Sequence, residues 1–452
     1  MRLRKTITTI VATAILLAGW QLFAVIANQP ELIPSLPRLV RTLCEWLVSG
    51  SFYQSVGATI LRGVLGMSIS FVCAIGMAGL FARFEWVYEL FRPLLAIMRS
   101  IPVISFILLA LIFLNPESIP LMIAFLTMFP LLTENLTRGI LDLRPGLSIM
   151  ARQFHIRRSN VLFQIIYPQL KPFLYSGLAS AAGFGWRAII MGEVLSQCAF
   201  GIGSEMKRAQ NFIAVPELLA WTIVAVFISF FFDKGISKVA DITPKISFAN
   251  EDQTIPTPTL SVLDTKDISY QYGIQHFSHS FQKGIIYGIS APSGKGKTTL
   301  LNLIGGILLP TEGEIHPTRH CGIATIFQQP QLLPHLTAEE NIILPLSSFL
   351  TEEKARRIAQ KHLQEMEMEP FGNRYPKELS YGQQQRIAIA RALAYPSPLL
   401  LMDEPFKGLD EALSHRIIER IREKQMKEER IILFTSHNPD EIRLLADEVI
   451  YL

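Results

Sequence analysis

Charge is scarce in this chain. Only 18% of its 452 residues are Asp, Glu, Lys or Arg, against roughly 25% in ordinary soluble domains. Cysteine is scarcer: Cys44, Cys73, Cys198 and Cys321 make no CxxC pair and have no metal-ligand spacing, which argues against a zinc site and a disulfide framework. Free and mostly buried thiols are expected. The alternative is a Cys44–Cys198 bridge, since both fall outside the membrane in the topology below. No block of Arg and Lys stands near aromatics, so the basic balance does not read as nucleic-acid binding, and no nucleic-acid partner is expected. Internal repeats and low-complexity tracts are also missing.

What charge there is lies unevenly. Residues 1–242 hold 20 Lys and Arg against 12 Asp and Glu, and the rest hold 22 against 26. A charge-poor, basic first part is thus joined to a second part of soluble composition, and the length allows two or three domains. A membrane-spanning helix needs ~20 apolar residues. Ile7–Ala27, Ile60–Ala82, Pro93–Leu114, Ile119–Thr133, Phe173–Gln197 and Ile213–Phe232 give six such stretches, the fourth short. Placing the N-terminus inside puts thirteen Lys and Arg residues of the connections inside and only Arg38, Arg41, Lys207 and Arg208 outside, as the positive-inside bias requires. A cleaved signal peptide fits the start less well, because the apolar run is long and its removal would leave an odd helix count. Residues 243–260, polar and carrying Pro244, Pro256 and Pro258, read as an extended linker. Beyond it, β-rich runs (Ile285–Ile289, Gly322–Phe327, Leu399–Met402, Ile431–Ser436) alternate with helical ones, the pattern of an α/β domain with a mainly parallel sheet.

Three motifs in this second part carry chemistry. Ala291-Pro-Ser-Gly-Lys-Gly-Lys-Thr-Thr299 joins the first of those strands to a helical run. A glycine-rich turn there aims backbone N–H groups at a phosphate at the helix N-terminus. Ser293, Gly294, Lys295, Gly296, Lys297, Thr298 and Thr299 are the candidate cradle. Lys297 would reach the β- and γ-phosphates, and Thr298 would ligate Mg²⁺. Ala291 stands where that pattern has its first glycine. About a hundred residues on, Leu399-Leu-Leu-Met-Asp-Glu404 is an apolar strand ending in two carboxylates. Asp403 would hold Mg²⁺ through water and Glu404 would act as general base. Between them lies Leu379-Ser-Tyr-Gly-Gln383.

With these motifs residues 260–452 resemble the ATP-binding cassette family, whose signature reads Leu-Ser-Gly-Gly-Gln. The resemblance implies ATP and Mg²⁺ as cofactors. It makes Gln328 the glutamine that senses metal and water, Asp410 the interface aspartate, and His437 the switch histidine on the γ-phosphate. Tyr272 is similar to the aromatic that stacks on adenine, and is as well read as a packing residue. Ser380, Gly382 and Gln383 belong to the signature, which in this family closes over the nucleotide of a second cassette, so a homodimer is implied. Tyr381 departs from the family's glycine. The fold expected is an α-helical membrane domain of six transmembrane helices (1–242), a linker (243–260) and an α/β P-loop ATPase domain (261–452).

The stretch between the fourth and fifth spans resembles the coupling loop of bacterial binding-protein-dependent importers. Ala151, Ile166 and Pro168 fit, while Met150 and His155 replace its acid and glycine. A short amphipathic helix there can rest in a groove of the cassette near Gln328. Leu94–Pro102 and the run from Trp186 to Val194 look like the nitrate, taurine and sulfonate class of permeases. That implies ATP-driven import of a small polar or anionic nutrient across the bacterial cytoplasmic membrane, with an extracytoplasmic substrate-binding protein as partner. A vitamin precursor such as the thiamine pyrimidine is the alternative cargo. An exporter or a regulatory membrane machine is the alternative function. Arg187 and Glu193 lie inside a span, where ionised groups are functional candidates. Six residues apart, they face different sides of one helix and need other partners, for translocation or for packing.

Overall fold

A backbone in hydrocarbon must satisfy its own polar groups, and the first part of this chain does so with helices throughout. The structure, a computed structural model, describes residues 2–240, 244–253, 260–271, 273–292, 294–317 and 322–452. Tyr272, Ser293 and Cys321 lie outside the described residues. The chain forms two compact units, Met1–Leu143 with Gln169–Thr243, and Arg144–Pro168 with Pro244–Leu452. In chain order the helices up to the linker are α1 (Arg2–Ala27), α2 (Leu36–Trp46), α3 (Gly50–Arg83), α4 (Glu85–Ser100), α5 (Val103–Phe113), α6 (Ile119–Leu141), α7 (Pro145–Gln153), α8 (Arg158–Asn160), α9 (Tyr167–Ser196), α10 (Ile202–Asn211) and α11 (Val215–Ala240).

Among the described residues four helices are long and apolar enough to cross a membrane: α3, α6, the Arg158–Ser196 run that contains α9, and α11. A fifth span is formed only if α4 and α5, which meet at 94°, count as one. In α1 (26 residues), the apolar stretch found among the described residues is Val11–Ala27. The described residues thus hold four or five of the six expected spans by length and composition, with the Pro93–Leu114 span broken into α4 and α5. The reason is local at Pro102. A residue before proline is pushed out of the helical region; Ile101 is extended, at φ −70° and ψ 129°, and ends α4. Close helix approach depends on small residues: a Cβ added to Gly66 of α3 would fall 2.6 Å from that of Ala124 in α6.

Two intramembrane charges part company here. Glu193 is fully buried and its partner is Arg62 of α3, 2.7 Å away, with Thr59 Oγ1 donating at 2.9 Å and the Gly203 N–H at 2.9 Å. Arg62 reaches Glu117 as well, at 2.6 Å. Arg187, on the same helix, is exposed. Cys198 is buried, but Cys44 and Cys73 are exposed, and all three are free thiols. The bridge between Cys44 and Cys198 is absent, and the expectation of mostly buried thiols fails for two of these three.

The second unit holds two sheets. Strands β1 (Val262–Tyr270), β2 (Ile274–Gln282) and β4 (Glu312–His316) form an antiparallel sheet in the order β2-β1-β4. Strands β3 (Ile286–Ser290), β5 (Ile323–Ile326), β6 (Leu399–Asp403), β7 (Ile431–Thr435) and β8 (Glu448–Tyr451) form a parallel sheet in the order β5-β6-β7-β3-β8. Its inner strands are apolar because both faces are covered: β6 and β7 are buried along their whole length. Parallel register carries the C-terminal ends of β3, β6 and β7 to one edge, where the motif residues lie.

Residues 144–168 belong to this unit rather than to the helices on either side of them. Leu147, Met150, Ala151, Phe154 and Ile156 join its hydrophobic core. Gln153 Nε2 donates to the Gly305 carbonyl at 2.7 Å. A Cβ on Gly146 would meet Gln331 Oε1 at 2.6 Å. The Arg391 guanidinium lies 5.4 Å from the Phe154 ring centroid and donates to the Pro330 and Gln331 carbonyls at 2.9 and 2.8 Å. The segment thus rests against the residues that follow Gln328. Described linker residues are pinned too: the Ala249 and Gln253 N–H groups donate to the Ser347 and Phe349 carbonyls at 3.0 and 2.8 Å.

One buried base makes the unit sensitive to acid. Burial, with Lys424, Lys361 and Arg430 close by, pushes His362 from its ordinary 6.5 down to about 3. The folded unit keeps this ring neutral, whereas the unfolded chain protonates it below about pH 6.5. Its contribution is whole above pH 6.5 and is lost as pH falls toward 3, at about 1.4 kcal/mol per pH unit. Thermal unfolding of the full-length protein should therefore show a Tm that rises from pH 5 to 7, and the rise should shrink in His362→Gln.

Candidate nucleotide site

The turn after β3 is shaped by two residues that must lack a side chain. Gly294 and Gly296 have φ of +81° and +89°, a region open to glycine at no steric cost. A Cβ on Gly296 would also sit 2.8 Å from the Gly273 carbonyl oxygen. Ala291 is not among the described residues with positive φ, so its methyl group is accommodated where a glycine was expected. The turn leads into α12 (Lys297–Ile304), whose first N–H groups have no partners within the helix.

Lys297 is buried and its ammonium donates to the Ala291 carbonyl at 2.6 Å, 3.4 Å from His437 Nδ1. Thr298 Oγ1 donates to Asp403 Oδ2 at 2.9 Å, and Thr435 Oγ1 donates to Asp403 Oδ1 at 2.8 Å. Burial holds the Asp403 carboxyl above its ordinary range against those two hydrogen bonds, and the neighbouring Glu404 charge adds to the rise. Glu404 has φ +48° and its N–H donates to Thr435 Oγ1 at 3.1 Å. Its carboxylate lies 3.0 Å from His437 Nε2 and 3.1 Å from Lys407 Nζ. Burial works to raise Glu404, but Lys407, Gln328 and His437 outweigh it and hold the group below the usual range. It is therefore ionised near neutrality. A hydroxyl and a carboxylate 2.9 Å apart, both hard oxygen donors, fit Mg²⁺.

A cavity of about 300 Å³ gathers Gly294, Gly296, Lys297, Thr298, Thr299, Gln328, Glu404 and His437. Tyr270, Gln271 and Gly273 complete its wall. Asp403 stands behind it, bonded to Thr298. Lys295 is exposed and does not line the cavity. The signature residues and Asp410 do not line it either. Ser380 and Gln383 cap α15 (Tyr381–Ala394) reciprocally, Gln383 N–H to Ser380 Oγ at 3.3 Å and Ser380 N–H to Gln383 Oε1 at 2.9 Å. Gly382 follows in the first turn, and a Cβ there would be 2.6 Å from the Gly408 carbonyl. Asp410 caps α16 (Glu411–Glu428) by accepting from the Leu413 N–H at 2.9 Å. For Tyr272 and Ser293 no placement is described.

A family model described as ABC transporter matches residues 274–407, and one described as binding-protein-dependent transport system inner membrane component matches residues 68–233. An uncharacterized ABC transporter ATP-binding protein of Methanocaldococcus jannaschii is 34% identical over 201 residues, 40% of this chain and 85% of that relative. The chain belongs to the ABC transporter family. The thiamine import ATP-binding protein ThiQ of Yersinia pseudotuberculosis is also similar, with 34% identity over 205 residues, 42% of this chain and 86% of the relative. The Fe(3+) ions import ATP-binding protein FbpC of Rhizobium etli is 35% identical over 189 residues, 40% of this chain. The chain spans about half the length of that relative, 54%.

Two contributors were not read from the sequence. Lys407 lies three residues after Glu404, and that spacing is the only trace it leaves. Thr435 lies two residues before His437, and its hydroxyl serves Asp403 and the Glu404 N–H together. The departure at Tyr381 also finds a use, because its hydroxyl donates to the Gln328 carbonyl at 2.8 Å. Thr435→Val, close to it in shape, leaves a buried carboxylate and an N–H short of a partner. That should lower stability by about 1–3 kcal/mol. The check is a fall in Tm of the full-length chain that Thr435→Ser does not reproduce.

Proposed function

We propose that this chain is an ATPase coupled to import, and that two copies make one transporter. One observation carries the reading: a glycine turn, the hydroxyl of Thr298 with Asp403 bonded behind it, and an ionised glutamate meet at a single cavity, in a chain whose helical part matches a binding-protein-dependent permease model. Gly294 to Thr299 hold the phosphates, with the Lys297 ammonium leaving the Ala291 carbonyl for them. Thr298, Asp403 and Gln328 would hold Mg²⁺, which when bound would neutralise phosphate charge. Glu404 takes the proton of the attacking water, and His437 meets the γ-phosphate. Ser380, Gly382, Gln383 and Asp410 serve the nucleotide of the second copy, which is in keeping with their standing outside the cavity of their own chain. Tyr272 and Ser293 are assigned to adenine and phosphate on the motif alone.

The permease match and the 144–168 segment seated in the cassette core support import. Relatives named for thiamine and iron import agree with that direction. The cargo proposed is a small polar or anionic nutrient of the nitrate, taurine or sulfonate kind, delivered at the cytoplasmic membrane by an extracytoplasmic binding protein. ATP hydrolysis by the full-length chain in lipid nanodiscs should fall by about 10²–10⁴-fold in Glu404→Gln with ATP binding retained. Loaded binding protein should raise the rate of the unsubstituted chain. Full activity in Glu404→Gln would remove the glutamate from its role, and a rate indifferent to every binding protein would point to an exporter.

A further inference from the structure

The exposed faces of the membrane helices differ in kind. On α3 the exposed residues include Leu61, Val64, Leu65, Ile69, Val72 and Ile75, and on α11 Val226, Phe227, Phe230 and Phe231. Such surfaces suit lipid tails. On α9 the exposed arc runs through Ser176, Ser180, Phe184, Arg187 and Met191, which recur at helical spacing on one side. Gly183 belongs to the same arc, and a Cβ added to it would meet nothing within 4 Å. The opposite side of α9 is packed, with Ala182, Trp186, Ile189 and Glu193 buried.

Arg187 makes no hydrogen bond or ion pair among the described residues. It stands nine residues before the end of α9 at Ser196, roughly 14 Å along the axis at 1.5 Å per residue, so it lies near the middle of a ~30 Å hydrocarbon core. An ionised group at that depth faces protein or water, not lipid. The buried acid Glu193 cannot serve it, being taken by Arg62, Thr59 and the Gly203 N–H.

We propose that this face of α9 lines a water-filled path between two copies of the chain, and that Arg187 of each copy binds a small oxyanion there. The inference rests on the importer reading and narrows its cargo to solutes that carry a sulfonate, nitrate or similar planar or tetrahedral anionic group. Two like guanidinium groups facing each other across a two-fold axis repel, and an anion between them removes the repulsion. A guanidinium matches an oxyanion with paired parallel N–H donors. Ser180 and Ser176, about two and three turns toward the start of the helix on the same arc, offer hydroxyls further along the path.

The test uses the full-length chain in phosphatidylcholine nanodiscs with Met191→Cys as a reporter one turn from Arg187. Labelling at position 191 is read by peptide mass spectrometry, so the natural cysteines stay in place. The probes are an anionic sulfonatoethyl and a cationic trimethylammonioethyl methanethiosulfonate. The anionic probe should react faster, the ratio of the two rates should fall about tenfold when Arg187→Gln is added, and Arg187→Lys should restore part of it. Ethanesulfonate should protect the cysteine only while Arg187 is present. Labelling no faster than at Leu65→Cys on α3, or a rate ratio untouched by Arg187→Gln, would overturn the inference. Protection by added phosphatidylglycerol but not by ethanesulfonate would make the anion a lipid headgroup and overturn it as well. ATP hydrolysis by the full-length chain separates the two readings, since the importer reading falls with a rate indifferent to every binding protein and this one falls with the labelling.

Discussion

A carboxylate taken out of water stays charged only if donors replace the solvent. Asp403 is buried at the end of β6, and two hydroxyls, from Thr298 and Thr435, do that work. The rest of the cavity hangs on this arrangement. Thr298 comes from the helix that follows the glycine turn, Thr435 from the neighbouring strand β7, and the Glu404 N–H closes onto the same threonine oxygen. Three elements distant in sequence are thereby registered to each other at one edge of the sheet. The parallel order β6-β7-β3 is what brings their ends level.

The second organising contact is at the other side of the same loop. Arg391 is buried and spends donors on the carbonyls of Pro330 and Gln331, while its guanidinium carbon lies over the Phe154 ring, 5.4 Å from the centroid. A residue from the membrane-flanked segment thus touches the group that fixes the loop carrying Gln328. Tyr381 holds that loop from a third direction through the Gln328 carbonyl. The 144–168 segment and the loop carrying Gln328 thus meet through Arg391.

Local patterns were legible and long-range partnerships were not. The strands could be read because β6 and β7 are unbroken apolar runs, a signal that full burial writes directly into composition. The phosphate turn could be read because glycine, lysine and threonine each answer a separate chemical need at fixed spacing. The bend at Ile101 was missed, although Pro102 was visible, because the run of apolar residues continues through it. Arg62 could not be named as the partner of Glu193, since 131 residues separate them and only packing brings them together. Lys407 and Thr435 escaped for the opposite reason: both are ordinary residues next to motif positions, and their role exists only once the side chains are placed. Tyr381, read from the sequence as a departure from the family's glycine, turns out to have a hydrogen-bonding partner of its own.

The apolar side chains of residues 147–156 have one further consequence. Leu147, Met150 and Phe154 are scarcely exposed at all, at 2%, 1% and 0%, and they are part of the core of the nucleotide-binding unit although more than a hundred residues precede its P-loop. A cassette severed at the linker would open a greasy trench where these side chains had been. In this polypeptide the two halves are therefore not interchangeable parts joined for convenience. The nucleotide-binding unit thus includes, in its own core, side chains from a segment flanked by membrane helices.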